Sequence, residues 1–228
     1  MMKRPRICAA ITHSNIAAIE EVEPLVDYFE VRIDLIGDAW QDIAKALKKP
    51  WIACNRLQEE GGRWQDNEAR RIEKLLQAVE IGANVVDIEL RTRNLENIVS
   101  LIKKRAGCLI SSHDFEKTPS LSELKSIVDR QFKAGADICK VVSTAKKVED
   151  NWTIIQLISE HPDTALVSFA MGPLGALSRV LSPLAGGYFT YASIETGKES
   201  APGQVTVAEL ARLYEMLGFG LPSDVANT

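Results

Sequence analysis

The stretch Ile7-Cys8-Ala9-Ala10-Ile11-Thr12-His13-Ser14-Asn15 decides between two folds. It opens as an apolar run of strand length and ends in polar residues, with no G-x-G-x-x-G turn behind it. An open, doubly wound sheet normally carries such a glycine-rich phosphate turn after an early strand. Further apolar, β-branched-rich runs follow at Tyr28–Asp34, Trp51–Arg56, Val85–Leu90, Cys108–His113, Ile138–Val142, Ala165–Ala170 and Tyr188–Ser193. Segments of helical periodicity separate them. Glu68–Ile81 is the clearest, with Ile72, Leu75, Leu76 and Val79 on one face and charges on the other. Leu95–Lys104, Leu121–Phe132, Trp152–Ile158 and Val207–Leu217 read the same way, and Ser120 with Glu123 three residues on marks a helix start. Strand and helix alternating eight times predict an α/β fold, a (β/α)8 TIM barrel formed as a single domain over residues 1–228.

Composition sets the outer bounds. The chain has 228 residues, 46% hydrophobic and 25% charged, which is enough apolar material for one large core. A net charge of -4 argues against a general nucleic-acid partner. No apolar run approaches the ~18–20 residues of a spanning helix. The apolar stretch behind the basic start, Ile7 to Ile11, is too short for a signal-peptide core. These features predict a cytoplasmic protein without a membrane partner. Cys8, Cys54, Cys108 and Cys139 stand far apart inside apolar runs, which reads as four buried free thiols rather than a zinc or dithiol site. The residues after Leu221 read as a short frayed tail.

Strand side chains alternate, so residues two apart share a face. In Glu30-Val31-Arg32-Ile33-Asp34 the charges share one face and the apolar residues the other. The outer face of a barrel strand packs on helices, so the charges point inward. Val86-Asp87-Ile88-Glu89-Leu90 repeats the pattern, while Cys54 shares a face with Arg56 and Ser111 with His113. Such a lumen is either an ion-pair lattice serving stability or a polar substrate site. Charges at the C-terminal ends of successive strands favour the site, because barrel enzymes work at that rim.

Lys140 lies within Asp137-Ile138-Cys139-Lys140-Val141-Val142, where a strand is buried. Desolvation and cationic neighbours lower an ammonium pKa from ~10.4, which predicts a neutral amine able to attack a ketone. The alternative is an amine tied into a buried salt bridge. His113, at the end of the fifth run, has the residue type for general acid/base work near neutral pH; the alternative is a ring tethered to its neighbour Asp114. His13 reads as a satisfied loop histidine and His161 as a surface one. The segments Met171–Arg179 and Ser200–Gln204 follow the last two strands, where barrels bind anions at helix starts, and Arg179 adds a fork suited to a carboxylate.

Taken in order, several blocks resemble the type I 3-dehydroquinate dehydratase family. They are Glu30-Val31-Arg32-Ile33-Asp34, Asn55-Arg56 with Glu60-Gly61-Gly62, Ser112-His113-Asp114-Phe115 with Thr118-Pro119, Lys140, Phe169-Ala170-Met171-Gly172, Ser178-Arg179 and Ser200-Ala201-Pro202-Gly203-Gln204. The resemblance implies a cofactor-free and metal-free barrel lyase of the shikimate pathway, acting on 3-dehydroquinate, with a homodimer as its assembly. It makes Lys140 the Schiff-base lysine, His113 the proton-transfer residue and Glu60 the support of that histidine. It assigns the substrate carboxylate to Arg179, the hydroxyls and neighbouring polar groups to Glu30, Arg32, Arg56, Ser200 and Gln204, and packing in the site to Met171. Tyr191 falls where the family often has phenylalanine. Longer members close the barrel bottom with an N-terminal hairpin, for which this chain has only about six residues before its first strand.

Two rivals accompany that reading. A class I aldolase barrel also uses a lysine on strand six, and a catalytically dead barrel could serve as a binding module. Glu30 with Arg32 and the Ser-His-Asp-Phe block favour the dehydratase over the first; Lys140, His113 and Glu60 together speak against the second.

Overall fold

The computed structural model describes residues 4–220; the tail beyond Leu221 and the outer limits of the 1–228 domain lie outside the described residues. Strands β1 (Ile7–Ile11), β2 (Tyr28–Arg32), β3 (Trp51–Cys54), β4 (Val85–Glu89), β5 (Gly107–His113), β6 (Ile138–Thr144), β7 (Leu166–Met171) and β8 (Thr190–Ser193) form one sheet. The pairs are parallel, in the order β7-β6-β5-β4-β3-β2-β1-β8. The seam between β8 and β7 is bridged where the Tyr188 N–H donates to the Leu166 carbonyl at 2.8 Å. This is a (β/α)8 barrel.

Helices α1 (Ile16–Val22), α2 (Ile33–Ile36), α3 (Trp40–Ala46), α4 (Glu68–Glu80), α5 (Leu95–Ile102), α6 (Leu121–Lys133), α7 (Asp150–Ser159), α8 (Ala176–Leu181) and α9 (Val207–Met216) lie between and after the strands. Ser120 and Glu123 close a reciprocal capping box at the start of α6, and Thr206 with Glu209 does the same for α9. The outward residues of the strands, such as Val31, Ala53, Val86 and Ile88, pack with Trp40 and Leu75 from the helices. Burying a side chain such as fully enclosed Leu75 stabilises by about 1.5–3 kcal/mol.

The lumen is layered. Cys8, Ile52, Val85, Leu109, Ile138, Val167 and Phe189 fill its lower part with apolar side chains. At the N-terminal end, Arg6 stacks on Tyr188 at 3.8 Å and the Tyr28 and Tyr188 hydroxyls meet at 3.4 Å. Those aromatic rings pack with Phe189, at 5.5 Å from Tyr28 and 5.6 Å from Tyr188 between centroids. The charged residues of β2 to β6 occupy the upper layer. All four cysteines are free and buried.

The structure corrects two details. β2 ends at Arg32, and Ile33–Ile36 turn helical, so Asp34 does not continue the strand alternation. It curls back instead and takes a bidentate pair of hydrogen bonds from Arg32 at 2.9 and 2.7 Å. Arg71, a charged residue expected with the solvent-facing charges of α4, precedes Leu75 by four residues and Ala78 by seven, on the same face, and is fully buried. It donates to Glu89 at 2.6 Å, to the Asn55 carbonyl at 3.2 Å and to Thr92 at 3.1 Å, fastening α4 onto the barrel rim. Hydrophobic periodicity carries no signal for an arginine paired with a strand carboxylate.

Candidate active site

All ten residues singled out from the sequence line one cavity of about 100 Å³ at the C-terminal rim. Register explains the convergence. Ser111 stands beside Lys140 across β5 and β6, and His113 beside Val142 one pleat higher on the same face. Cys54 pairs with Asp87, and Glu89 with Ser111, so β3, β4 and β5 present their polar residues at neighbouring heights.

Lys140 is 5% exposed. Its Nζ donates to Asp87 at 2.9 Å, to the Tyr191 hydroxyl at 3.0 Å and to Glu30 at 3.3 Å. Desolvation pulls its pKa down, but Asp87 and Glu30 together outweigh burial and hold it above the ordinary lysine value. The expectation of a neutral resting amine is therefore corrected: two carboxylates, not cations, dominate its surroundings. Glu30, Cys54 and Asp87 also bring possible metal-donor atoms within 4.8 Å of one another. Both carboxylates are already compensated by Lys140, and Asp87 additionally by Arg56.

Arg56 is built into the floor of the site. It donates to Asp87 at 2.6 Å and to Ser111 at 2.6 Å, and lies 3.2 Å from Glu89. Ser111 in turn donates to Asp87 at 2.6 Å. Burial alone raises the Asp87 pKa, but Arg56, Lys140 and the Ser111 hydrogen bond drive it well below the usual carboxylate range.

His113 pairs through Nδ1 with Glu60 at 2.7 Å. A carboxylate is acceptor-only, so the Nδ1 proton faces it and Nε2 keeps its lone pair. Burial, reinforced by Arg56 and Lys140, pushes the ring pKa well below 6.5 and leaves the imidazole neutral. Asp114 does not tether it; that carboxylate accepts from the Glu116 and Lys117 N–H groups. Arg91 holds the other Glu60 oxygen at 2.6 Å. The Glu60 placement depends on Gly61 and Gly62. A Cβ on Gly61 would come within 2.6 Å of the Phe115 ring, and one on Gly62 within 2.0 Å of the Arg56 carbonyl.

Arg179, from α8, is 1% exposed. Nη2 donates to the Pro202 carbonyl at 3.2 Å, the guanidinium lies 4.3 Å over the Phe169 ring, and burial pushes its pKa down to about 10. Nε and Nη1 are buried with no protein acceptor among the described residues. In the segment after β7 two amides are already engaged: the Gly175 N–H goes to the Gly172 carbonyl and the Ser178 N–H to Asn151. Gln204 accepts from the Ser200 N–H at 2.9 Å and from its hydroxyl at 3.2 Å, shaping the loop over Arg179. Met171 ends β7 in the cavity wall.

His13 stands away from this cavity. It pairs with Glu195 at 2.6 Å and so pins the loop after β8 to the loop after β1, helped by the Thr12 hydroxyl donating to the Lys198 carbonyl at 3.0 Å. His161 contacts the Leu157 carbonyl at the surface. The sequence reading gave no role to Ser111 and only a face to Asp87, yet both organise the lysine. The signal available was their shared inward parity with Arg56 and Lys140.

The arrangement combines a buried amine able to condense with a carbonyl, a neutral imidazole beside it and a cation with unpaired donors. Comparisons with known proteins give the family. The family model described as Type I 3-dehydroquinase matches residues 7–220. A 3-dehydroquinate dehydratase of Dehalococcoides mccartyi is 41% identical over 218 residues, covering 96% of this chain and 98% of that protein. One from Methanococcus maripaludis is 36% identical over 219 residues, 92% of this chain and 99% of its own. Among solved structures, the 3-dehydroquinate dehydratase of Geobacillus kaustophilus superposes with a TM-score of 0.82 at 24% identity, over 95% of this chain and 96% of that one. The Clostridium difficile type I enzyme superposes at 0.81 with 23% identity, over 95% and 93%. No helix among the described residues is long and apolar enough to cross a membrane. With the match running almost end to end over a barrel of the same shape, this chain belongs to the type I 3-dehydroquinase family.

Proposed function

We propose that this chain dehydrates 3-dehydroquinate to 3-dehydroshikimate and water, a step of the shikimate pathway toward aromatic amino acids, through an imine on Lys140. The observation that carries the reading is a buried lysine and a neutral, largely enclosed histidine lining the same small cavity.

Lys140 first passes a proton to a neighbouring carboxylate, then adds to the ring ketone; that proton returns to the carbinolamine hydroxyl, which leaves as water and gives an iminium. The iminium acidifies the adjacent carbon and serves as electron sink. His113 Nε2 takes the proton there, leaving an enamine, while Glu60 keeps the imidazole in its tautomer and stabilises the imidazolium that forms. The enamine then expels the β-hydroxyl, which leaves as water with the proton from His113. Hydrolysis of the conjugated imine frees product and lysine. Arg179 takes the substrate carboxylate with its two unpaired nitrogens, fixing the ring for elimination. Glu30, Arg32, Arg56, Ser200 and Gln204 face the hydroxyls and neighbouring polar groups, and Met171 packs against the ring.

Finer features belong to the same reading. Residues 1–228 act as one catalytic domain, since the family match fills 7–220. The protein works in the cytoplasm as a homodimer; exposed Trp152 on α7 and Leu177 on α8 supply apolar surface on two packed helices. Sedimentation at micromolar concentration tests the dimer. The activity is tested by following enone absorbance on addition of 3-dehydroquinate: the parent chain produces it and Lys140→Ala does not. An inactive parent chain, or an active Lys140→Ala, defeats the reading.

A further inference from the structure

We propose that Arg91 is a positioning residue for the proton-transfer step: it takes the Glu60 oxygen that His113 leaves free and so keeps the imidazole Nε2 bare for the substrate proton. The inference rests on the dehydratase reading above and names a residue outside the cavity lining that serves His113 through Glu60.

The two oxygens of Glu60 face different partners. Oε2 pairs with His113 Nδ1 at 2.7 Å, and Oε1 lies 2.6 Å from Arg91 Nε. The carboxylate is buried, whereas the Arg91 side chain is 54% exposed and stands on the loop after β4. The turn that carries Glu60 is held without Arg91. The Glu60 and Gly62 N–H groups both donate to the Leu57 carbonyl, at 3.0 and 2.8 Å, and the Leu57 N–H donates to Glu89 at 3.2 Å. What Arg91 adds is a cation on a carboxylate whose backbone is already in place.

Nε2 is the atom at stake. Phe115 stacks on the imidazole with centroids 6.1 Å apart and an interplanar angle of 18°, which restrains the ring plane. With Glu60 ionised, Nδ1–H donates to Oε2 and Nε2 keeps its lone pair. One added proton spoils the pair wherever it settles. An imidazolium carries it on Nε2, and a protonated Glu60 donates from Oε2 to Nδ1, again leaving the ring proton on Nε2. Oε1 is no alternative home, because it faces a guanidinium that has only donors and stays charged.

A cation beside the pair opposes that added proton. Burial raises the Glu60 pKa, and Arg56 first, then Arg91, pull it back. The other charges facing the pair are Asp87 on β4, Glu30 on β2 and Lys140 on β6, and all stay in place when Arg91 is changed. Asp114, next to His113 in the chain, is turned to the Glu116 and Lys117 N–H groups. Without the Arg91 charge the pair takes up its proton at higher pH, so the acid limb of turnover moves upward. A cation in direct contact is worth about tenfold or more in the proton affinity of a carboxylate, and water around half-exposed Arg91 keeps the effect near the lower figure.

Two readouts on one pair of variants test this. Histidine-selective ¹⁵N spectra across pH report the proton on Nε2 independently of activity, with the His113 signals identified by their loss in His113→Asn. Arg91→Met keeps the aliphatic stem at an exposed position, so the fold stands. In that variant Nε2 takes up its proton at a roughly tenfold lower proton concentration than in the parent. Turnover of 3-dehydroquinate, kcat, falls roughly tenfold on the acid limb and stays within about threefold of the parent on the plateau, with KM also within about threefold. Borohydride-trapped imine does not fall, because Lys140 is untouched. Arg91→Lys, whose Nζ reaches one bond beyond the arginine Nε, keeps the parental titration and pH profile. An unmoved Nε2 titration in Arg91→Met overturns the proposal, as does a kcat loss equal at every pH or an Arg91→Lys protein that behaves like Arg91→Met. A parent chain that shows the Nε2 titration but no dehydration overturns the dehydratase reading instead.

Discussion

Lys140 Nζ lies 2.9 Å from Asp87 Oδ2, and the same oxygen accepts from Arg56 Nη2 at 2.6 Å. One buried carboxylate thus serves two buried cations. Removing one member of such a cluster leaves its partners charged in a dry lumen, at a cost of about 3–5 kcal/mol. Asp87→Asn accordingly loses stability of that order in urea denaturation. It also lowers the Lys140 pKa in a ¹⁵N-lysine titration, since the largest attraction raising it is gone. A variant of parental stability, or an unmoved lysine titration, contradicts this assignment.

Arg179 sets binding against stability. Its two buried unpaired nitrogens cost folding free energy of about 1–3 kcal/mol, which a bound carboxylate recovers. Arg179→Met therefore melts at or above the parental temperature, while KM for 3-dehydroquinate rises by about 10²-fold or more. Substrate analogues bearing a carboxylate raise the melting temperature of the parent and not of the variant. Equal thermal shifts in both proteins count against the clamp.

His113 gives the fold a pH dependence of known sign. Its folded pKa lies well below about 6.5, the value it has when unfolded. Below about pH 6.5 the unfolded chain gains a proton that the folded chain refuses, so stability falls as pH drops toward the folded pKa. Above about 6.5 this contribution vanishes. His113→Asn flattens that part of the stability profile and slows turnover by about 10²–10⁴-fold while still permitting imine formation. A His113→Asn protein with parental turnover has no place in the mechanism.

Gly62 spaces Glu60 beneath the imidazole. A Cβ there would lie 2.0 Å from the Arg56 carbonyl, which is backbone and cannot swing away. Gly62→Ala costs about 1–3 kcal/mol and lowers kcat more than it raises KM, because the step served by His113 loses its support. A change confined to KM argues that the turn serves substrate binding instead.

Much of this site was legible as parity. Glu30 with Arg32, Asp87 with Glu89, Cys54 with Arg56, and Ser111 with His113 read as inward pairs because apolar residues alternated with them, and β2 to β5 place them so. The strand–helix alternation gave the barrel, and the Ser120–Glu123 pattern gave the start of α6. What escaped depends on distance across the lumen. Asp87 and Glu30 belong to strands remote in sequence from Lys140, so the sign of the lysine shift could not be read from its own strand. Arg71 escaped for a related reason: a helix pattern sorts residues by polarity, and only its partner Glu89 makes an arginine an inside residue. The curl of Asp34 onto Arg32 came from a strand that ended two residues early.

The central claim is that Lys140 forms a covalent imine with substrate, and the most direct measurement is borohydride reduction in the presence of 3-dehydroquinate followed by peptide mapping. One stoichiometric adduct on the peptide containing Lys140, absent without substrate, is the predicted result. No adduct, or an adduct on another lysine, contradicts the account.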